Sequence, residues 1–210
     1  MQAVVVRVVG IAGSLRPKSV TRMAVRYALR GAEEEGARAS ILDLTEYNLP
    51  FLGREQEDGN EKAVRGFRAA LRASDGIILG SPELHGSVSG VLKNALDLTG
   101  SNEFEGKMVG LVGVAGGRMG ATETLSHLRN IGRSLHAWVV PAQASIGDSD
   151  QAFDFRGNPT DKEVGKRLKE VGGQVAHFAR LHKCENHMQF LKEWEGAPVN
   201  EGTSLKPRSV

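Results

Sequence analysis

The feature that most limits the possible folds is a run of β-branched residues followed directly by a loop rich in glycine and serine. The run covers residues 4–11 and is apolar except for Arg7. A strand without polar alternation is typically buried on both faces, as in a parallel sheet that helices cover on two sides. The loop ends at Ser19, a good capping residue, and helical periodicity continues from there to about Gly36. This region therefore predicts a strand, a loop and a helix.

The same alternation recurs along the chain. Further strands are expected at residues 39–44, 76–80, 108–115 and 137–141. Further helices are expected at residues 61–73, 88–98, 122–136 and 161–182. Strands that alternate with helices form a parallel sheet with right-handed crossovers. We therefore expect an α/β fold of the doubly wound class, in which a five-stranded parallel sheet is the middle of three α/β/α layers.

The length of 210 residues suits one domain of ordinary size. Beyond Glu185 the alternation fades into glycine, proline, serine and charged residues. We therefore expect one domain over residues 1–184 and a polar tail over residues 185–210 that is mobile or docked on a partner. The irregular segment of residues 45–60 is long for a connection, and such loops are commonly functional or face a partner.

Composition argues against several classes of function. The net charge is only +2, the basic residues are spread along the chain, and aromatic residues make up 5%, so no nucleic-acid partner is expected. The single cysteine, Cys184, allows no internal disulfide, which favours a cytoplasmic protein. The apolar stretch over residues 3–13 is too short to cross a bilayer, so no membrane span is expected.

Two loops stand out because of where a doubly wound sheet binds ligands. With the strand order 2-1-3-4-5, ligands bind outside the carboxyl ends of the first and third strands, where the order reverses. The first loop, residues 13–19, carries Ser14, Arg16 and Ser19, and Thr21 follows it. Hydroxyl groups, a guanidinium and the unpaired N–H groups of a helix N-terminus suit a phosphate monoester. A plain capping loop with solvated charges would use the same residue types.

Motifs of competing chemistries are absent from the sequence. It has no G-x-x-x-x-G-K-[ST] phosphate loop, and residues 10–13 do not match the dinucleotide motif G-x-G-x-x-G. Residues 86–90 place Val88 where a serine hydrolase needs its nucleophile. No metal is expected, because the His and Cys residues late in the chain lack the paired spacing of a zinc site. These residues are His177, His182, Cys184 and His187.

Several motifs together resemble one enzyme family. They are G-S-L-R-x-x-S-x-T at residues 13–21, S-P-E-x-H-G-S at residues 81–87, G-x-L-K-N-A-L-D at residues 90–97, the turn at residues 116–118 and the segment at residues 153–161. Over residues 8–182 the sequence resembles the NADPH-dependent FMN reductase family, whose flavodoxin-like members include quinone, azo-compound and chromate reductases. The resemblance implies FMN as cofactor and NADPH or NADH as electron donor. Residues 81–87 form the second loop at the switch point.

The resemblance also implies where FMN binds. Its phosphate is expected at Ser14, Arg16, Ser19, Val20 and Thr21. Its isoalloxazine is expected beside Pro82, Glu83, Leu84, His85, Gly86 and Ser87. Its polar edge is expected near Gly116 and Gly117, and Arg118 is the candidate contact for the 2′-phosphate of NADPH. Because the flavin carries the redox chemistry, no side chain needs to form a covalent intermediate.

Individual residues in this pattern leave alternatives open. Leu84 and Leu98 stand where many relatives carry Tyr and Trp, which bears on how the flavin packs. His85 could orient an acceptor or donate a proton, but a hydrogen bond within its own loop is the favoured interpretation. Arg118 could equally be an exposed, solvated arginine.

The resulting hypothesis is an FMN-dependent NAD(P)H reductase that passes hydride through FMN to quinones, free flavin or similar small acceptors. The alternative is a flavodoxin-like electron carrier or a flavin-binding regulatory module without NAD(P)H turnover. Such carriers are usually strongly acidic, whereas this chain has a net charge of +2, so the enzyme is favoured. Relatives close the flavin site with a neighbouring subunit, which implies a homodimer or homotetramer. The packing surface is expected to include Val88, Val91, Leu92, Ala95 and Leu96.

Overall fold

All strands of the sheet run parallel. The computed structural model describes residues 4–54 and 60–183. The strands are β1 (Arg7–Ala12), β2 (Arg38–Leu42), β3 (Gly76–Pro82), β4 (Met108–Val114) and β5 (Trp138–Ile146). Their order is β2-β1-β3-β4-β5, which confirms the expected doubly wound, five-stranded parallel sheet.

Helices cover both faces of this sheet. They are α1 (Val20–Glu34), α2 (Glu61–Arg72), α3 (Gly90–Asp97), α4 (Ser101–Phe104), α5 (Thr122–Ser134) and α6 (Lys162–Lys183). Short 3₁₀ turns lie at Leu44–Glu46 and Ser149–Gln151. Helices α1 and α6 pack on one face, in a core that includes Val25 and Val171. Helices α2, α3 and α5 pack on the other face, around Phe67 and Leu92, so the three α/β/α layers are confirmed.

The central strands explain the apolar runs of the sequence. Ile11 of β1, Ile78 of β3 and Leu111 of β4 are each 0% exposed, because helices cover both faces of the sheet at these positions. The edge strand β2 instead alternates more and less exposed residues. Long apolar runs therefore mark the interior of the sheet, where the two loops of interest begin.

Helices α1 and α6 lie so close together that two glycines are required where they cross. A Cβ atom on Gly172 would overlap the carbonyl oxygen of Ala28, and one on Gly31 would overlap the carbonyl oxygen of Lys169. Each glycine thus lets the backbone of one helix touch the backbone of the other. This contact fixes how the two helices cover their face of the sheet.

Some element boundaries differ from the sequence expectation. Strand β1 begins at Arg7 rather than at Val4, at the residue where its pairing with β2 begins. Strand β5 continues through Pro141 to Ile146 instead of ending at the proline. Proline is tolerated there because β5 is an edge strand, and the register between β4 and β5 shifts beside it. The short helix α4 was not expected.

The helix expected over residues 88–98 is shorter and more buried than predicted. It begins after Ser89, whose Oγ accepts a hydrogen bond from Leu92 N at 3.2 Å. Three residues expected to face a partner lie instead in the core of the chain itself. They are Leu92, Ala95 and Leu96. That part of the expected packing surface is wrong, since their side chains fill the space between α3 and the sheet, and only Val88 and Val91 remain partly exposed.

Some expectations fall on parts of the chain that the structure does not describe. The tail of residues 185–210 and the domain end at residue 184 lie outside the described residues, as do Cys184 and His187. Among residues 4–54 and 60–183, no helix combines the length and apolar character that a membrane crossing needs. The same residues bring no group of three or more His, Cys, Asp or Glu side chains together as metal ligands.

Candidate functional site

The first and second loops meet directly at the carboxyl edge of the sheet. Their strands are neighbours, with Ala12 in register with Gly80. Gly13 N donates a hydrogen bond to Gly80 O at 2.8 Å, and Ser89 Oγ donates to Gly13 O at 2.7 Å. Ser89 N in turn donates to Ser81 Oγ at 2.9 Å. These hydrogen bonds connect the first loop, the second loop and the start of α3 at the carboxyl edge of the sheet.

Close packing between α3 and the end of β1 requires glycine at position 13. A Cβ atom on Gly13 would lie 2.6 Å from Leu92 Cβ and 2.8 Å from Ser89 Oγ, which is closer than real Cβ atoms approach. The glycine therefore allows α3 to approach the end of β1. This packing alone accounts for the place of Gly13 in the sequence motif.

The first loop presents backbone N–H groups that have no acceptor. Ser19 caps α1, because its Oγ accepts a hydrogen bond from Arg22 N at 3.1 Å. Within the described residues, no acceptor is paired with the N–H groups of Leu15, Arg16, Lys18, Val20 and Thr21. Unpaired N–H groups at a helix N-terminus carry partial positive charge and bind anions. The first loop can therefore hold a phosphate group.

The side chain of Arg22 explains why these N–H groups face outward. Its guanidinium donates to three carbonyl oxygens of the first loop, each at 3.3 Å. They belong to Ser14, Arg16 and Pro17. In a trans peptide the carbonyl and the following N–H point in opposite directions. Turning the carbonyls of Ser14 and Pro17 toward Arg22 therefore turns the N–H groups of Leu15 and Lys18 away from it.

Asp43, which follows β2, holds Arg22 in place. Its Oδ1 accepts from Arg22 Nη2 at 3.2 Å, and its Oδ2 lies 2.9 Å from Arg22 Nε. The contact at Nε is electrostatic, since this N–H has no aligned acceptor among the described residues. Burial raises the pKa of the Asp43 carboxyl, but hydrogen bonds from Thr45 and the charge of Arg22 outweigh it and lower the pKa below its usual value. The carboxylate is therefore charged and paired at neutral pH.

The side chains expected to hold the phosphate differ in exposure. Ser14, Ser19 and Thr21 are 9%, 3% and 3% exposed and gather at the start of α1. Val20 is the first residue of that helix and is partly buried. Arg16 is exposed, and its side chain has no ion pair or hydrogen bond within the described part of the chain. The hydroxyl-bearing residues are thus largely buried at or just before the start of α1, whereas the Arg16 guanidinium is available to an anion from solvent.

The second loop ends in a tight turn that presents two side chains outward. Leu84 N donates to Ser87 O at 2.9 Å, and Ser87 N donates to Leu84 O at 3.1 Å. His85 and Gly86 between them have φ values of 53° and 71°, which is typical of a type I′ turn. Leu84 is 46% exposed, His85 is exposed, and Pro82 at the end of β3 is partly buried. The His85 side chain makes no hydrogen bond to any described residue, so the interpretation in which it bonds within its loop is wrong.

Helix α5 holds the second loop from the other side. Glu83 N donates to Val114 O at 2.7 Å, and Glu83 Oε2 accepts from Thr124 N at 3.1 Å in the first turn of α5. Thr124 Oγ1 donates to Ser87 O at 3.0 Å, and Ser87 Oγ lies 2.9 Å from His127 Nδ1. The carboxylate of Glu83 therefore caps α5, a role that the sequence did not indicate. A contact between Glu83 and the cofactor stays a prediction.

The loop between β4 and α5 lies beside the second loop, because β3 and β4 are neighbours. A Cβ atom on Gly116 or Gly117 would meet nothing within 4 Å, so this surface is open. The N–H groups of residues 116–119 have no acceptor among the described residues. The Arg118 side chain is 91% exposed, and its Nε lies 3.8 Å from Asp148 Oδ2. Such an exposed ion pair contributes little and leaves Arg118 available to a ligand.

Sequence reasoning missed residues that build the site from outside the motif loops. They are Arg22, Asp43, Thr124 and His127. Their roles depend on contacts between separate elements, which no local motif records. Leu98, by contrast, is 0% exposed at the end of α3, so it packs in the core and not on the surface of the site.

Known proteins share both the sequence and the fold of this chain. The NADPH-dependent FMN reductase family matches residues 6–151. An FMN-dependent NADPH-azoreductase of Staphylococcus aureus is 37% identical over 182 residues, a match that covers 84% of this chain and 96% of that relative.

Solved structures share the fold at lower sequence identity. A flavoenzyme NAD(P)H:(acceptor) oxidoreductase from Paracoccus denitrificans is 23% identical with a TM-score of 0.68, over 85% of this chain and 99% of its own. A flavodoxin, WrbA-like protein from Agrobacterium tumefaciens is 20% identical with a TM-score of 0.58, over 85% of this chain and 99% of its own. These similarities confirm the flavodoxin-like fold. Since the family match spans more than half of the chain and the azoreductase is 37% identical to it, the chain belongs to the NADPH-dependent FMN reductase family, with FMN as cofactor and NADPH as electron donor.

Proposed function

We propose that this enzyme binds FMN where its loops meet at the carboxyl edge of the sheet and passes electrons from NAD(P)H to small acceptors. The acceptors are quinones, free flavin, azo compounds or similar molecules, the azo compounds being suggested by the name of the Staphylococcus relative. The observation that carries the placement of FMN is the set of outward N–H groups on the first loop, together with the Arg22 side chain that orients it.

The first loop fits the phosphate of FMN. A phosphate monoester is nearly a dianion at neutral pH, and the loop offers unpaired N–H groups at the N-terminus of α1. Ser14, Ser19 and Thr21 add hydroxyl groups in and next to this loop, and most of the surface of each residue is buried. Arg16 can add a charge-assisted hydrogen bond from the solvent side. The proposed phosphate site consists of these groups alone and includes no metal ion.

The second loop and the loop after β4 fit the flat ring of FMN. Leu84 offers an exposed apolar surface, and the open backbone at Gly116 and Gly117 offers N–H groups to a polar ring edge. FMN held there would supply the redox chemistry that links NAD(P)H to the acceptor. The residues of the chain orient the reactants, and Arg118 is placed to meet the 2′-phosphate that distinguishes NADPH from NADH.

The proposal includes a homodimer or homotetramer. Large apolar side chains are exposed on the loops that follow all five strands. They are Leu15, Phe51, Leu52, Leu84, Met119 and Phe155. We name these six residues the apolar rim. Exposed apolar surface of this kind is typical of an interface. A cytoplasmic location belongs to the same proposal and rests only on the single cysteine of the sequence.

The visible absorption spectrum of the purified protein, followed by assays of NADH and NADPH oxidation, tests this function. We expect bound FMN and NADPH oxidation that depends on added benzoquinone, free flavin or an azo dye, with free FMN and no protein as the control. A protein that binds no added FMN contradicts the proposed site. A protein that binds FMN but oxidises neither nucleotide would instead act as an electron carrier, the alternative that its flavodoxin-like fold leaves available.

A further inference from the structure

Ser87, in the loop proposed to lie beside the flavin ring, forms a hydrogen-bonded pair with His127 of α5, and the proposed binding of FMN does not require this imidazole. Ser87 Oγ is 2.9 Å from His127 Nδ1. Ser87 belongs to the second loop at the switch point, where ligands of doubly wound sheets bind. His127 lies on the second turn of α5 and is exposed. The pair thus connects the site to solvent.

The surrounding contacts fix the geometry of this pair. Thr124 Oγ1, one turn before His127 on α5, donates to Ser87 O at 3.0 Å. Glu83 Oε2 accepts from Thr124 N at 3.1 Å, so the loop is bonded to the same helix at two further points. Ser87 N and O are both engaged in the tight turn with Leu84. The Ser87 hydroxyl is therefore held on a rigid backbone, and its partner is the imidazole.

The overall reaction requires a proton that NAD(P)H does not supply. Reduction of a quinone to a hydroquinone adds two electrons and two protons and forms two O–H bonds. NAD(P)H supplies a hydride, which carries both electrons and one of the protons. The second proton must come from the protein or from water, and the same balance holds when an azo group gains two N–H bonds. A positioned acid near the acceptor would accelerate this step.

We infer that His127 supplies this proton through Ser87. The Ser87 hydroxyl gives its proton to the acceptor oxygen or nitrogen while it receives another from His127 Nδ1, and the neutral ring is then protonated again by water. No electrons move in this relay, and its net effect is to carry one proton from solvent to the acceptor. Ser87 is the catalytic residue, and His127 is a positioning residue that acts through it. The inference rests on the proposed function, because it requires the acceptor to lie beside the second loop.

Imidazole suits this role because its charge changes near neutral pH. Other titratable groups occur on the elements that meet at the pair. They are Glu83 and His85 on the second loop and Glu123, Arg129 and Arg133 on α5. Glu83 is already bonded to Thr124 N, and His85 has no bond to a described residue. His85 is therefore the neighbouring imidazole whose effect must be separated from that of His127.

The test compares two acceptors on the FMN-loaded enzyme. Benzoquinone takes up protons as it is reduced, whereas ferricyanide accepts electrons alone. The enzyme is first reduced with NADPH, and its reoxidation by each acceptor is followed by stopped flow across a range of pH. The variants are His127→Gln, which keeps a polar side chain without a titrating ring, and Ser87→Ala. His85→Gln tests the neighbouring imidazole, and His177→Gln on α6 is the matched control for loss of an exposed histidine.

We expect His127→Gln and Ser87→Ala to slow reoxidation by benzoquinone about a hundredfold, the lower end of what a positioned acid contributes. Reoxidation of the His127→Gln variant by ferricyanide is expected to stay at the wild-type rate. The benzoquinone rate of the wild type is expected to fall as the pH rises, and His127→Gln is expected to remove that pH dependence. His85→Gln and His177→Gln are expected to keep it.

Two readouts do not depend on turnover. FMN affinity, measured by fluorescence quenching, is expected to be unchanged in His127→Gln, and the ring-nitrogen NMR signals of His127 are expected to shift in Ser87→Ala. Equal slowing with both acceptors, or a loss of FMN affinity, would show a structural role and overturn the inference. The inference would also be overturned if the pH dependence of reoxidation disappeared in His85→Gln. A wild-type enzyme that oxidises no NADPH with either acceptor overturns the proposed function as well, whereas an active wild type matched by His127→Gln overturns the relay alone.

Discussion

Arg22 shapes the first loop although it lies outside the part of the motif that suggested phosphate binding. Its guanidinium reaches three loop carbonyls and the carboxylate of Asp43 at the same time. This depends on the planar fork of arginine, whose N–H groups point in several fixed directions. A lysine has the same charge but gathers its donors at a single nitrogen. Charge alone would therefore not preserve the shape of the loop.

We predict that Arg22→Lys weakens FMN binding by about tenfold, which corresponds to about 1.4 kcal/mol. The physical reason is that the loop carbonyls lose partners, so the N–H groups of Leu15 and Lys18 are no longer held outward. A fluorescence-quenching titration with FMN measures the effect. Arg26→Lys is the matched control, because Arg26 lies one turn further along α1 and is exposed. Wild-type FMN affinity in a well-folded Arg22→Lys protein would contradict this role.

At the residue scale, the sequence predicted the loops of the site better than their supports. Ser14, Ser19 and Thr21 lie within one motif, so their gathering at a helix start could be read directly from the order of residues. Asp43 is 21 residues from Arg22, and His127 is 40 residues from Ser87. These pairs exist only because the sheet brings separate loops together. A single sequence carries no sign of such a pairing.

At the scale of whole elements, the strand and helix order was predictable and the ends were not. Apolar runs marked β1, β3 and β4 because both faces of these strands are buried. Strand β5 was expected to end at Pro141, but it continues to Ile146, because β5 lies at an edge of the sheet where the missing N–H of proline is not needed. The position of a strand within the sheet decides this, and that position is a property of the tertiary fold.

The crossing of α1 and α6 gives a prediction at the same scale. Gly172→Ala is expected to destabilise the protein by about 1–3 kcal/mol, because the new methyl group overlaps the carbonyl of Ala28. This clash is with backbone atoms, so no change of side-chain rotamer can relieve it. Gly173→Ala is the matched control on the next residue of α6, where the nearest atom would be Glu35 Cγ at 3.6 Å. Here the better helix propensity of alanine is expected to stabilise by about 0.5–1 kcal/mol.

Urea denaturation of both variants beside the wild type measures these free energies of unfolding. The opposite signs are the informative result, since both changes add one methyl group to the same helix. A Gly172→Ala protein as stable as the Gly173→Ala protein would show that the two helices can separate at little cost.

At the scale of the whole molecule, the apolar rim is the surface that we propose a second copy of the chain covers. Its members stand on the loops that follow all five strands, so they surround the carboxyl edge where FMN is proposed to bind. Met119 and Phe155 are the most exposed of them, at 92% and 91%. Complete burial of such a side chain is worth about 1.5–3 kcal/mol. Burial of the rim by a second copy of the chain would therefore stabilise the association of the two copies, and it would also shield the cofactor from water.

We predict a homodimer or homotetramer whose interface includes this rim. Light scattering at micromolar concentration is expected to give a multiple of the chain mass, and Met119→Glu together with Phe155→Glu is expected to shift the protein toward the monomer, because each change would bury a charge at the interface. NADPH turnover is expected to fall in the same double variant, since the monomer would lack the second subunit that shields the site. Val5→Glu is the matched control, as Val5 is 48% exposed just before β1, at the opposite edge of the sheet, and its change is expected to leave both mass and turnover intact. A wild-type monomer with full activity would contradict the assembly, and an unchanged mass in the double variant would move the interface away from the rim.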